Sequence, residues 1–241
     1  MNVIECAGLG KRYRRAWALR DCTLGIPAGH VVALVGPNGA GKTTLLNMAV
    51  GLAVPTTGTV TVLGGLPAGS PDALDRIAFV AQDAPLYKNL PVADMLHVVR
   101  NLNRRWDHQR AQARLAELGI PLDKKVGHLS GGQKAQLALT VALARRPDLL
   151  VLDEPLASLD PLARYDFIQS VMETVAAEGV SVVLSSHVVA ELERMADYLI
   201  VLASGQVQVA GEVGDLVAEH GASLEKIVLA AMRESGREVA A

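Results

Sequence analysis

The sequence is poor in aromatic side chains and in cysteine, and its charges nearly cancel. Phe, Trp and Tyr make up 3% of 241 residues, two residues are Cys, and 23 basic residues stand against 25 acidic ones. Proteins that bind nucleic acid by displacing counterions usually carry a basic excess, so we expect no nucleic-acid partner. We expect Cys6 and Cys22 to be buried thiols and not a disulfide.

Long hydrophobic runs are missing as well. The longest ones, such as Val31–Val35, are far too short to cross a bilayer. Residues 1–5 lack the charged and apolar regions of a signal peptide, so we expect a cytoplasmic product. Half of the residues are hydrophobic, which is enough to bury the core of one large α/β domain.

The most informative stretch is a glycine-rich segment that fits the phosphate-loop pattern G-x-x-x-x-G-K-[ST]. It lies between an apolar strand and a segment with helical character, the order in which backbone N–H groups and a helix start converge on one anion. We predict that Lys42 reaches the β- and γ-phosphates and that the Thr43 hydroxyl binds Mg²⁺. The segment consists of Gly36, Pro37, Asn38, Gly39, Ala40, Gly41, Lys42, Thr43 and Thr44.

Polar residues follow three further apolar segments. Asp153 and Glu154 end an apolar strand, where ligands bind in open α/β sheets. Asp153 fits the role of a second Mg²⁺ ligand, and Glu154 can orient or deprotonate the attacking water. Gln82 and His187 also stand at strand ends, where each can face the nucleotide, although a structural role is the more common one for such residues.

A second helix start could also hold a phosphate. Ser130 is a natural N-cap, and capping alone would explain it. Gly131 and Gly132 come directly after this cap, and their bare N–H groups could clasp an anion. The segment from Leu129 to Gln133 reads Leu-Ser-Gly-Gly-Gln.

Tyr13 is expected in a short basic loop between two strands, where its ring could stack on a nucleobase. Trp17 is the competing aromatic residue. Further along, residues 85–145 read as a helical insertion, with a helix near Pro91 and another capped by Asp107. Two more helices are expected, one that starts at Asp160 and one near the end of the chain.

Together these motifs resemble the ATP-binding subunit of ABC transporters over nearly the whole chain. The phosphate loop matches the Walker A motif, Leu-Ser-Gly-Gly-Gln the signature, and residues 149–154 the Walker B motif. Gln82 falls at the Q-loop, residues 158–160 at the D-loop, His187 at the switch histidine and Tyr13 at the adenine-stacking position. The closing segment 223–229 resembles subunits of drug and lipid exporters.

The resemblance implies an α/β fold with a RecA-like P-loop NTPase core. It implies an N-terminal antiparallel β subdomain (about 1–30 and 56–64), a core (about 31–55, 72–84 and 146–211), a helical subdomain (about 85–145) and a helical tail (about 212–241). It also implies a homodimer or heterodimer that sandwiches two ATP molecules, with Ser130, Gly131, Gly132, Gln133 and Asp160 acting in trans. Gln82 would join Thr43 and Asp153 around Mg²⁺.

Three functions follow from these features. The first is an energy-coupling ATPase, bound through transmembrane permease subunits to the cytoplasmic face of the membrane and serving as an exporter. The second is a soluble ABC ATPase that acts on DNA or ribosomes, although such relatives usually carry coiled-coil insertions. The third is a nucleotide-binding regulatory module without turnover, against which Glu154 and His187 argue.

Overall fold

The computed structural model describes residues 1–83, 85–189, 192–193 and 195–238, with side chains as far as residue 233. The chain divides into two compact units: Met1–Leu74 with Ser181–Ala241, called unit 1, and Asp75–Val180, called unit 2. In chain order the elements are β1 (Asn2–Tyr13), β2 (Ala16–Pro27), β3 (Val31–Val35), α1 (Lys42–Ala49), β4 (Thr57–Val62), β5 (Leu66–Pro67), α2 (Pro71–Arg76), β6 (Ile77–Val80), α3 (Val92–Leu102), α4 (His108–Glu117), α5 (Gly131–Leu143), β7 (Leu149–Asp153), α6 (Pro161–Glu178), β8 (Ser181–Ser186), β9 (Tyr198–Ala203), β10 (Gln206–Glu212), α7 (Val213–His220) and α8 (Leu224–Glu238).

Unit 1 contains an antiparallel sheet with the strand order β2-β1-β4-β5, which confirms the predicted N-terminal antiparallel sheet. In β1, Ile4, Cys6 and Leu9 are buried while Glu5 and Ala7 are exposed, so the sheet has one apolar face. The alternation of apolar and polar side chains predicts strands over residues 2–9 and 18–26, and β1 and β2 extend beyond both ranges. Tyr13 is therefore the last residue of β1 and not part of a loop, because it pairs with Ala16 across a two-residue turn.

Unit 1 also contains β3, which runs parallel to β8 on one side and to β9 on the other. Every residue of β3 and β8 is buried, as expected for strands covered on both faces. The strand β10 pairs with β9 in an antiparallel hairpin. The helix expected near the end of the chain is α8, and it buries Leu224, Ile227, Val228 and Ala231 on one face. Residues 239–241 of the predicted tail lie outside the described residues.

Unit 2 combines the parallel pair β6 and β7 with helices α3 to α6. Its helical core is built from buried side chains of α3, α4 and α5, among them Leu96, Leu115 and Leu137. Three helix starts agree with the sequence: the Asp107, Ser130 and Asp160 side chains cap α4, α5 and α6. Hydrogen bonds from the Arg110 N–H and the Arg146 guanidinium hold the pKa of the Asp107 carboxyl below its ordinary value.

In the part of the chain that the structure describes, none of the helices combines the length and the apolar character that crossing a membrane requires.

Candidate nucleotide-binding site

The phosphate loop, residues 36–44, joins β3 to α1 in unit 1. Gly39 and Gly41 have φ angles of 81° and 104°, in the left-handed region that favours glycine. A Cβ on Gly41 would lie 2.5 Å from the Ala18 carbonyl oxygen, and one on Gly36 would lie 2.1 Å from the Leu202 carbonyl oxygen. At Gly39, in contrast, no atom lies within 4 Å of the position that a Cβ would occupy. Packing thus excludes a side chain at Gly36 and Gly41, whereas Gly39 leaves open space beside the loop.

The start of α1 is suited to an anion. Its N-cap, Gly41, has no side chain to accept a hydrogen bond from the first N–H groups, which have no partner within a helix. Lys42 is 6% exposed, and its Nζ donates to the carbonyl oxygens of Gly36, at 2.7 Å, and Pro37, at 3.4 Å. The ammonium group therefore lies against the loop. Uncapped N–H groups beside this cation form a set of donors that fits a triphosphate.

His187 follows β8, and the register between β3 and β8 shows where along the sheet it lies. Val35, the last residue of β3, pairs with Ser186, the last residue of β8. Gly36 and His187 consequently leave two neighbouring parallel strands at the same edge of the sheet. The Ser186 hydroxyl accepts a hydrogen bond from the Val188 N–H at 3.0 Å, so His187 stands in a tight turn with its side chain exposed.

The two candidate stacking residues flank the turn between β1 and β2. Tyr13 is 49% exposed, and the Lys11 Nζ lies 5.2 Å from the centre of its ring. The Arg12 guanidinium lies 5.9 Å from the centre of the Trp17 ring. Each aromatic residue therefore has a cation over one face and partial exposure to solvent. The role of Tyr13 in binding adenine stays a prediction.

In unit 2, Gln82, Asp153 and Glu154 lie at one edge of the β6–β7 pair. Val80 pairs with Leu152, so the residues that follow each strand leave the sheet together. Asp153 is 2% exposed and Glu154 8% exposed. Gln82 lines a cleft of about 260 Å³ together with Gly131 and Ser158, and we name it the Gln82 cleft.

The signature segment, residues 129–133, has a clear local role. The Ser130 hydroxyl accepts from the Gln133 N–H at 3.2 Å, and the Gln133 side chain accepts from the Ser130 N–H at 3.2 Å. This reciprocal pair is a capping box, which stabilises the start of α5. Asp160 caps α6 by accepting from the N–H groups of Leu162 and Ala163. Capping alone accounts for these hydrogen bonds, and binding of a nucleotide by this segment stays a prediction.

The residues predicted to bind Mg²⁺ each carry an oxygen ligand, and their role stays a prediction. Among the described residues, no group of three or more His, Cys, Asp or Glu side chains could hold a metal ion alone. Thr43 offers an exposed hydroxyl in unit 1 and Asp153 a carboxylate in unit 2. Mg²⁺ prefers oxygen ligands and is usually bound through one or two carboxylates together with phosphate oxygens.

The sequence reasoning overlooked a polar network beneath the signature segment. Arg114 of α4 donates to the Gln136 Oε1 at 3.1 Å and to the Thr140 hydroxyl at 3.2 Å. Burial lowers the pKa of the Arg114 guanidinium from its ordinary value. A signal was present in the sequence, because Gln136 and Thr140 stand four residues apart in residues 135–143 of α5, whose other members are apolar.

Comparison with known proteins identifies the family. The family model described as ABC transporter matches residues 19–157, more than half of the chain. The chain belongs to the ABC transporter family. This ABC ATPase domain binds ATP, and similar cassettes include one described in a post-hydrolysis state with ADP and inorganic phosphate.

Several relatives of this ABC ATPase domain are named for transport. It is 35% identical over 222 residues to the Fe(3+) ion import protein FbpC of Pseudomonas fluorescens, covering 88% of this chain and 62% of that protein. It is 32% identical over 207 residues to the lantibiotic transport protein SrtF of Streptococcus pyogenes, covering 85% and 89%. It is 34% identical over 224 residues to the Nod factor export protein I of Rhizobium leguminosarum, covering 90% and 72%. The chain thus spans less than two thirds of the iron import protein.

Solved structures agree with the fold. The structure of an ATP-binding subunit of an ABC transporter superposes with a TM-score of 0.83 at 27% identity, covering 95% of this chain and 99% of that one. The dimeric cassette with ADP and phosphate gives a TM-score of 0.76 at 25% identity, covering 87% and 98%. The predicted fold class, α/β with a P-loop NTPase core, is confirmed by these similarities.

Proposed function

We propose that this ABC ATPase domain works as the energy-coupling subunit of a membrane exporter, in a dimer that holds two ATP molecules between its copies. One observation carries the proposal: α1 starts without a side-chain cap, whereas α5 starts with a complete capping box. The first helix start can bind a phosphate directly. The start of α5 is already ordered by its capping box. Its remaining N–H groups can contact a ligand that is bound elsewhere, and we propose that this ligand is ATP on a second copy.

The phosphate loop of one copy would bind the triphosphate, with Lys42 against the β- and γ-phosphates and Tyr13 on the adenine. Thr43, Asp153 and Gln82 would hold Mg²⁺, which supplies a positive charge between the β- and γ-phosphates. Glu154 would accept a proton from the attacking water, and His187 would contact the γ-phosphate. The second copy would contribute Ser130, Gly131, Gly132, Gln133 and Asp160.

The subdomain boundaries expected from the sequence are part of this proposal, because each subdomain would supply one component. The antiparallel sheet would carry the adenine contact, the core the phosphate and Mg²⁺ groups, and the helical segment the signature. The dimer would be formed by two copies or by this chain and a related subunit. A dimeric cassette among the similar structures supports this arrangement.

The partner would be a transmembrane permease, which keeps the domain on the cytoplasmic face of the membrane. Export is favoured by a relative named for Nod factor export, while a relative named for iron import represents the opposite direction. Co-purification with an integral membrane protein tests the partner. Purification without any membrane protein, together with ATP-dependent binding to DNA or ribosomes, would favour a soluble ABC ATPase instead.

Two substitutions test the site itself. Lys42→Ala removes the main side-chain charge near the phosphates, so ATP affinity and hydrolysis should both fall. Glu154→Gln keeps the shape but cannot accept a proton, so turnover should fall by about 10²–10⁴ while ATP binding persists. Lys226→Ala, an exposed lysine of α8, is the matched control. Unchanged affinity and turnover in the Lys42→Ala protein would show that ATP binds elsewhere.

A further inference from the structure

A second cleft in unit 2 lies between the starts of α5 and α6, and we name it the α5–α6 cleft. It has a volume of about 210 Å³ and is lined by Ser130, Gly132, Gln136, Asp160, Leu162 and Asp166, among others. Leu118 and Ile120 add apolar wall. The cleft therefore combines two carboxylates, the amides of Gln133 and Gln136, and aliphatic surface.

Gln136 shows that this cleft is built to contact a polar group. The residue is 6% exposed, and its Oε1 accepts a hydrogen bond from Arg114. Its Nε2 is buried and has no hydrogen-bond partner within the described part of the chain. A buried amide donor without an acceptor is costly, so a ligand with an oxygen atom at this place would be stabilised.

A cation would be stabilised by the two carboxylates of the cleft, Asp160 and Asp166. Asp160 uses one carboxylate oxygen, Oδ1, to cap α6. Asp166 lies six residues after Asp160, within α6, and is exposed. It makes no hydrogen bond or ion pair with any residue the structure describes. Carboxylates beside the aliphatic surface of Leu118, Ile120 and Leu162 match an arginine side chain. Its guanidinium pairs with a carboxylate in two parallel hydrogen bonds, and its stem packs on apolar groups.

An arginine of this kind is presented at the turn between β1 and β2. Arg14 is exposed and has a φ of 53°, in the left-handed region that Gly or Asn adopts at a lower cost. Neither Arg14 nor Arg15 forms an ion pair with any described residue. The exposed Arg12 adds to the positive charge of this turn. Because Arg14 is exposed at the tip of a hairpin, its guanidinium is accessible to a second molecule.

We propose that Arg14 of one copy enters the α5–α6 cleft of a second copy of this chain. Its guanidinium pairs with Asp166, and a carbonyl oxygen of the turn accepts a hydrogen bond from the Gln136 Nε2. By two-fold symmetry the contact occurs twice in each dimer. The inference rests on the proposed function, because only a dimer with shared sites brings the start of α5 to the nucleotide side of the other copy.

Charge exchange tests the contact in the full chain. In a Glu154→Gln background with saturating Mg-ATP, the dimer Kd is measured by analytical ultracentrifugation. Arg14→Glu and Asp166→Arg should each raise the Kd about tenfold, because each places like charges together. The two changes combined in one chain should restore the Kd. Arg20→Glu on β2 and Asp123→Arg are matched controls at exposed positions and should leave it unchanged.

The outcomes separate this inference from the proposed function. If the background protein forms no ATP-dependent dimer, the proposed function itself fails. If it forms one, but Arg14→Glu behaves like Arg20→Glu or the combined change stays weak, this contact is excluded. A second measurement mixes an Arg14→Cys chain with an Asp166→Cys chain, both lacking Cys6 and Cys22. A bismaleimide should join the two chains only with Mg-ATP, and failure to join them in a formed dimer overturns the proposal.

Discussion

Glu154 has a backbone conformation that few residues with a side chain adopt. Its φ is 48°, and the residue is 8% exposed directly after the buried strand β7. Left-handed backbone at a residue other than glycine costs about 1–3 kcal/mol and is found more often at functional sites. The sequence predicted that Glu154 directly follows an apolar strand. It did not predict the left-handed φ of this residue, because that angle depends on how the chain turns away from the strand. The conformation supports the role proposed for Glu154 in positioning water.

The two thiols provide a test of burial at single residues. Burial raises the pKa of Cys6 to about 12 and that of Cys22 to about 11, from an ordinary value of 9.0. The folded chain thus keeps both protons at a pH where the unfolded chain releases them. The free energy of unfolding should fall as the pH rises from about 9 towards 11–12, by roughly 2–3 kcal/mol at pH 10.

Urea unfolding at pH 7.5 and pH 10 measures this loss. A Cys6→Ala/Cys22→Ala chain is the control, and its free energy of unfolding should fall less between the two pH values. The other titrating groups are the same in both proteins, so the difference between them isolates the thiols. Equal losses in the two proteins would mean that the thiols are not held protonated by burial.

At the scale of elements, the sequence predicted where helices start better than where strands end. Asp107, Ser130 and Asp160 cap their helices as expected, because capping depends on side-chain chemistry within four residues. The extension of β1 to Tyr13 was not predicted, because it depends on pairing with β2. Helix α2 was not predicted either, because the glycines and prolines from Gly64 to Pro71 are typical of a loop, although Pro71 also suits a first helical turn.

The contact between α5 and α6 leads to a prediction on packing. A Cβ added to Gly132 would lie 2.7 Å from the Ala163 Cβ, whereas one added to Gly131 would lie 3.9 Å from its nearest neighbour. Gly132→Ala should therefore destabilise the fold by about 1–3 kcal/mol through overpacking. Ala163→Gly in the same chain should recover most of this loss, because it removes the clashing methyl group.

Chemical unfolding of four variants checks this contact: Gly131→Ala, Gly132→Ala, Ala163→Gly and the combined Gly132→Ala/Ala163→Gly chain. Gly131→Ala is the matched control and should be neutral or stabilising, since alanine favours a helix over glycine. If Gly131→Ala and Gly132→Ala have the same effect, or if Ala163→Gly rescues nothing, the two helices do not approach at Gly132.

At the scale of the whole molecule, the groups proposed to act on ATP come from both units. Unit 1 contributes Lys42, Tyr13 and His187, and unit 2 contributes Asp153 and Glu154. Lys42 was assigned from the spacing of the phosphate-loop motif, and Asp153 and Glu154 from their place after an apolar strand. Tyr13 and His187 are single residues, so their roles came from the family resemblance and stay predictions. The sequence did not predict the α5–α6 cleft, whose lining comes from three separated segments of unit 2.

The shared site can be tested by mixing two inactive chains. Ser130→Arg should block the signature segment, and Lys42→Ala should disable the phosphate loop, so each protein alone should lack ATPase activity. In a mixed dimer, one site combines both defects. The other joins the intact phosphate loop of the Ser130→Arg copy to the intact signature of the Lys42→Ala copy. With random pairing and independent sites, the equimolar mixture should recover about a quarter of the wild-type activity.

A matched control is a mixture of Lys42→Ala with Glu154→Gln. Both residues are proposed to act on the ATP of their own copy, so in that mixed dimer each site keeps one defect and no activity should return. Affinity tags that differ between the chains verify that mixed dimers form. If the Ser130→Arg and Lys42→Ala mixture stays inactive although mixed dimers are present, or if both mixtures recover equally, Ser130 does not act across the dimer. Recovery in the first mixture alone would place Ser130 and Lys42 on opposite sides of one ATP, because no other pairing of the two chains yields a site without a defect.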